Sequence, residues 1–145
     1  MGRKSKVKGA VGERELAKLF KDNGIEAFRG RQYSGKDGSP DVDGIPYVHA
    51  EVKRVECMKI GSKLLEAALE QSEHDAIEEE NKTGEEKIAC VFFRQNNEKW
   101  KVAMRLSEFE EMISGRYIGD PKQYVVFPFE SWFSVYKEWS YGRNA

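Results

Sequence analysis

At 145 residues the chain is long enough for one domain with a sizeable core and too short for two ordinary ones. Hydrophobic content of 39%, aromatic content of 12% and a charged fraction of 34% fit a soluble globular protein, and no apolar run nears the ~20 residues of a membrane span. A net charge of −1, two distant cysteines (Cys57 and Cys90) and no histidines at ligand spacing argue against a disulfide scaffold or a zinc finger.

Residues 1–8 carry four basic side chains and read as a mobile arm. No apolar stretch follows to make a secretory signal, and Lys6 stands where myristoylation wants Ser or Thr, so an intracellular, cytoplasmic protein is expected. The basic excess continues: residues 1–36 hold ten Lys/Arg against four Asp/Glu, as expected of a surface that meets nucleic acid, with Arg3 and Lys4 among its contacts. From Gly9 to Asn23 the spacing predicts a helix, with Leu16, Leu19 and Phe20 on one stripe and Gly24 at its C-cap. A strand is predicted from Glu26 to Arg31, then a Gly-rich polar loop from Gln32 to Ser39. A hairpin follows: Asp41 to Asp43, a turn through Gly44-Ile45-Pro46, and a strand from Tyr47 to Val55.

Residues 62 to about 81 predict the longest helix, with Leu65, Ala68, Leu69, Ala76 and Ile77 as its apolar face. Residues 66–86 hold nine acids and one lysine, which reads as a solvated face turned away from any nucleic acid. Ile88 to Phe93 is a continuous apolar run, the pattern of a central strand covered on both sides. Trp100, Val102 and Met104 alternate as in a neighbouring strand. Ser107 to Ile113 predicts a short helix opened by a Ser107/Glu110 capping box and closed by Gly115. Tyr124 to Phe127 is a last strand, and Ser131 to Tyr141 an aromatic-rich helix. The predicted order is α-β-β-β-α-β-β-α-β-α.

Strand parity picks out the candidate chemistry. Along Tyr47–Val55, Val48, Ala50 and Val52 fall on one face and read as core, whereas His49, Glu51 and Lys53 fall on the other. A hairpin centred on Pro46 sets Asp41 opposite Glu51, on the Glu51 side. Like charges so opposed destabilise the ribbon unless something bridges them, either a hard cation or a structural salt-bridge cluster with Lys53 and Arg54. Two carboxylates with one ammonium are the equipment for metal-assisted phosphodiester hydrolysis. Glu13 sits at the edge of the first helix's buried stripe, as a metal-side carboxylate or an acid favoured by the helix dipole. Gln71 shares a helix face with Leu64, Ala67 and Ala68 and is either a site residue or an edge residue. His49 is a bystander or a proton shuttle; Asp43 is an accessory ligand or a turn residue.

The chain resembles the PD-(D/E)xK nucleases, and within them the archaeal-type Holliday-junction resolvases and their phage relatives. The likeness runs through Gly12-Glu13-Arg14-Glu15-Leu16, Gly24-Ile25-Glu26-Ala27-Phe28-Arg29, Ser34-Gly35, Pro40-Asp41-Val42, Glu51-Val52-Lys53 and Glu70-Gln71. It implies an α/β restriction-endonuclease-like fold, a mixed central sheet flanked by helices. An αβββαβ core would occupy residues 9–95, with additional strands and helices over 96–145 of the same domain. It implies Asp41 and Glu51 as principal Mg²⁺ ligands (Mn²⁺ being the alternative), with the Val52 carbonyl as an extra one. Lys53 would orient or activate the attacking water, Glu13 would be an outer or second-metal carboxylate, and Gln71 would orient water or a ligand. Arg29, Arg31, Ser34 and Lys36 would touch the scissile phosphate or its neighbours.

The expected activity is therefore a metal-dependent endonuclease of DNA, most of all of four-way junctions, working as a homodimer with no membrane partner and no small-molecule cofactor. A nuclease of linear, nicked or sequence-specific duplex and a catalytically silent DNA-binding domain are the alternatives. Beyond residue 95 the resemblance stops. Trp132, Phe133, Tyr136 and Trp139 fall at helical spacing, as core, a subunit contact or base-stacking groups, and an exposed edge near Ile88–Phe93 is the other candidate dimer surface.

Overall fold

The computed structural model describes residues 3–30, 39–117 and 119–144, with side chains described from 9 to 143 within those ranges. The elements are α1 (Arg3–Asp22), β1 (Phe28–Arg29), β2 (Val42–Asp43), β3 (Val48–Val55), α2 (Lys63–Thr83), β4 (Ile88–Gln95), β5 (Lys101–Arg105), α3 (Leu106–Ile113), β6 (Tyr124–Pro128) and α4 (Phe129–Asn144). Their order is the predicted one. The six strands form one sheet in the order β1-β2-β3-β4-β5-β6. Every neighbouring pair is antiparallel except β3 and β4, which run parallel from Val48↔Ile88 to Val55↔Gln95. A parallel pair needs a long crossover, and α2 supplies it. The result is a mixed α/β sheet with helices on both faces.

Alternation along β3 and β4 divides the interior in two. Val48, Ala50, Val52, Cys90 and Phe92 face Leu16, Ala17 and Phe20 of α1 and Trp132, Phe133 and Tyr136 of α4. Val91, Phe93 and Ala103 face Leu65, Ala68 and Leu69 of α2. The unbroken apolar run in β4 exists because both its faces are covered. Phe20 is the hub of the first core, edge-on to Phe92 at 5.5 Å and to Phe129 at 5.3 Å. Trp132 stacks on Tyr136 at 4.8 Å, and the Tyr136 hydroxyl donates to the Pro46 carbonyl at 2.8 Å. That bond ties α4 to the β2–β3 turn. Gly12 lets α1 run against β3, since a Cβ there would lie 2.8 Å from Arg54 Cβ.

Several expectations need correction. The first helix begins at Arg3, not Gly9, so Arg3 and Lys4 belong to α1; their side chains lie outside the described residues. The strand expected over Glu26–Arg31 is two residues long. Ile77 is 60% exposed; the buried stripe of α2 continues through Ser72, Ala76 and Glu79 instead. Ser107 lies inside α3, whose N-cap is Arg105, so no capping box forms. Ile88–Phe93 is central in the sheet, not an edge, and Trp132 and Tyr136 are core. Among the described residues no helix is long and apolar enough to cross a membrane.

Truncating the aromatic hub tests this packing. Phe20→Ala is expected to lower unfolding stability by about 3–5 kcal/mol, and Ile77→Ala to change it by less than about 0.5 kcal/mol, both read from urea unfolding.

Candidate functional site

The β2–β3 register is Val42↔Ala50, with the Asp41 N–H donating to the Ala50 carbonyl at 2.9 Å, so Asp41 stands opposite Glu51 as the hairpin geometry predicted. Both are only 9% exposed. Asp41 Oδ2 accepts the Val52 N–H at 2.8 Å, which anchors one carboxylate to the partner strand. The N–H and C=O of one strand residue point the same way, so the Val52 carbonyl also faces the Asp41 edge. Gly30 makes this corner possible. Its N–H donates to the Asp41 carbonyl at 2.9 Å, and a Cβ on it would lie 1.9 Å from the Pro40 carbonyl oxygen.

Lys53 projects from the same face as Glu51, its Nζ 3.8 Å from Glu51 Oε1, and its side chain is 36% exposed. Burial, followed by the nearby Asp41 charge and a hydrogen bond with Asp41, pushes the Glu51 carboxyl up to about 8, with Lys53 opposing the shift. Glu13 joins the group from α1. Its Oε1 accepts from Arg29 Nε at 3.0 Å. Burial raises its carboxyl too, with Asp41 adding to the rise and Arg29 acting against it. Glu13 of α1 thus joins Asp41, Glu51 and Lys53 of the hairpin at one corner of the sheet. A cavity of about 520 Å³ beside the β2–β3 turn is lined by Asp43, Tyr47, Lys87 and Arg143, and by none of these four.

Gln71 is exposed and does not lie on the apolar face expected of it. It donates from Nε2 to both oxygens of Asp75, at 2.9 and 3.0 Å, and Asp75 in turn approaches Glu51. Asp75 is a residue that the sequence reading missed, as is Glu79. Both lie in the acidic stretch taken for a solvated face, yet they turn towards β3. The available signal was the i, i+4, i+8 spacing of Gln71, Asp75 and Glu79, one stripe of α2. His49 is fully buried rather than at the mouth of the site, with Nδ1 2.9 Å from Glu79 Oε1. Asp43 Oδ1 accepts the Gly44 N–H at 2.7 Å, the turn role. Arg29 lies on the edge strand with its side chain 46% exposed. Arg31, Ser34 and Lys36 lie outside the described residues.

The residues present suit a hard cation. Two desolvated carboxylates within hydrogen-bond reach of each other, and a third nearby, are all-oxygen donors of the kind that hold Mg²⁺ or Mn²⁺.

No family model matches this chain, and no curated protein matches it. Among solved structures it is similar to Hjc of Archaeoglobus fulgidus, a Holliday junction resolvase from an archaeal hyperthermophile. The two are 22% identical, the match covers 62% of this chain and 70% of that one, and the TM-score is 0.43. A likeness of that order carries nothing about chemistry, which rests on the residues themselves.

Glu51 keeps its proton in the folded chain after the unfolded chain has lost it. The stability this confers is complete below about pH 4.5 and falls away as pH rises towards about 8. In EDTA, Glu51→Gln is therefore expected to gain on the parent between pH 5 and pH 8 by about 1–3 kcal/mol in urea unfolding. An unchanged difference across that range would reject the assignment.

Proposed function

We propose that this chain is a metal-dependent endonuclease of DNA that acts foremost on four-way junctions, as a homodimer. The observation that supports it is the convergence of Asp41, Glu51 and Lys53 on one face of a hairpin, with Glu13 and Arg29 beside them. Asp41, Glu51 and the Val52 carbonyl would hold the ion, with Glu13 as an outer ligand. When bound, Mg²⁺ neutralises phosphate charge and supplies a more acidic water.

The chain's own groups have separable tasks. Asp41 is oriented by the Val52 N–H, so its carboxylate is held in a set direction. Glu51, raised by burial and by Asp41, would be a ligand whose proton a bound cation's charge displaces. Lys53 is half turned to solvent, where its ammonium can donate to a water and to the phosphoryl oxygen that gains charge. Arg29 donates from Nε to Glu13, and its half-exposed guanidinium would offer further N–H groups to a phosphate. Arg31, Ser34 and Lys36 are proposed to extend that contact and Gln71 to act through Asp75. Two matched cuts on a junction call for a two-fold symmetric pair of sites, hence the dimer.

Incubation with a synthetic four-way junction beside a linear duplex of the same sequence, in Mg²⁺ and in EDTA, tests the proposal. Junction-selective, Mg²⁺-dependent cuts are expected, and Asp41→Ala, Glu51→Ala or Lys53→Ala should each lower cutting about 10²-fold or more while junction binding persists. Indiscriminate cuts would move the substrate to linear duplex, and binding without cuts would leave a DNA-binding domain.

A further inference from the structure

The face of β3 that meets α2 carries a second set of donors behind the Asp41–Glu51 pair. His49, Glu51 and Asp75 each present one ligand atom within 4.8 Å of the other two. Glu79 engages His49 Nδ1, so Nε2 is the ring nitrogen still to be met. That nitrogen is buried and has no hydrogen-bond partner among the described residues, on a side chain that is itself fully buried. A ring nitrogen so enclosed, with two carboxylates near it yet none in hydrogen-bond contact, is a polar atom left without a partner. Burying such an atom is costly without a further group to meet it.

We propose that His49 Nε2, Glu51 and Asp75 form a second divalent-cation site, selective for a first-row transition ion over Mg²⁺. The donor set gives the selectivity, because an imidazole nitrogen suits Zn²⁺, Fe²⁺ or Ni²⁺ better than it suits Mg²⁺. The surroundings have the form of a built site. A metal-bound histidine usually donates its other N–H to a carboxylate, and Glu79 stands in that place. Lys87 Nζ holds the other Glu79 oxygen at 3.0 Å. Gln71 holds both oxygens of Asp75 from the solvent side. The site goes beyond the nuclease reading and rests on it in one respect, that Glu51 is shared with the first ion.

Mn²⁺ added to the full chain, with stoichiometry from equilibrium dialysis and nitrogen coupling from pulsed EPR, tests the site. The chain has two histidines, His49 and His74. A ¹⁴N coupling is expected that His74→Gln retains and His49→Gln loses. Asp75→Asn, at a partly exposed position that spares folding, should drop one bound equivalent, and Glu79→Gln should weaken that equivalent about 10–100-fold. No coupling in the parent protein, or a coupling lost in His74→Gln alone, overturns the site. Nitrogen-coupled Mn²⁺ in a protein that cuts no DNA keeps this site and rejects the nuclease. Cleavage by a protein showing no coupling rejects the site and leaves the nuclease standing.

Discussion

Asp41 and Glu51 face one another across a short ribbon although both are desolvated carboxyl groups, and the rest of the site is arranged around the cost of ionising both. The opposition follows from hairpin register, and the register follows from what lies on the far side of the ribbon. Val42, Val48, Ala50 and Val52 are buried against α1 and α4, and a slip by one residue would turn them to the wrong face. Tyr136 fixes the turn through Pro46, and Gly30 admits the chain close to Pro40. Apolar packing on one face of the sheet thus sustains an electrostatically unfavourable cluster on the other.

The charges behind that cluster are paired in layers. Lys53 and Arg29 meet Glu51 and Glu13 at the mouth, where side chains retain some exposure. Deeper in, Lys87, Glu79 and His49 form a chain of contacts, and Gln71 restrains Asp75. Burial alone would push the Glu79 carboxyl up, but the bonds from His49 and Lys87 outweigh it and hold it below the usual range. Glu51 has the opposite balance, because burial and the neighbouring Asp41 outweigh the Lys53 ammonium 3.8 Å away. The Glu79 carboxylate, held by fixed partners, thus lies behind a Glu51 carboxyl that favours its proton.

The aromatic C-terminal third contributes to this frame from behind. Phe129, Trp132, Phe133 and Tyr136 fill the layer between α4 and the sheet together with Phe20 of α1. Helical spacing of large aromatic residues left packing, a subunit contact and base stacking all open. Packing is what the fold realises for Trp132 and Tyr136, since rings this large stabilise most when removed from water.

Element types, their order and the facing of Asp41, Glu51 and Lys53 were legible in the chain alone. Each depends on short-range periodicity: alternation in β3, helical stripes in α1 and α2, and turn residues at Gly44 and Gly24. Local pattern could not show that α2 lies over β3 along the stripe of Gln71, Asp75 and Glu79, turning two acids of a charged helix inward. Nor could it show that the ring of His49 is enclosed. Those facts depend on which face of a helix meets which face of a sheet, a choice made by the whole core. A residue's period along its own element tells which neighbours share its side; only the docking of elements decides whether that side meets water, a carboxylate or another chain segment.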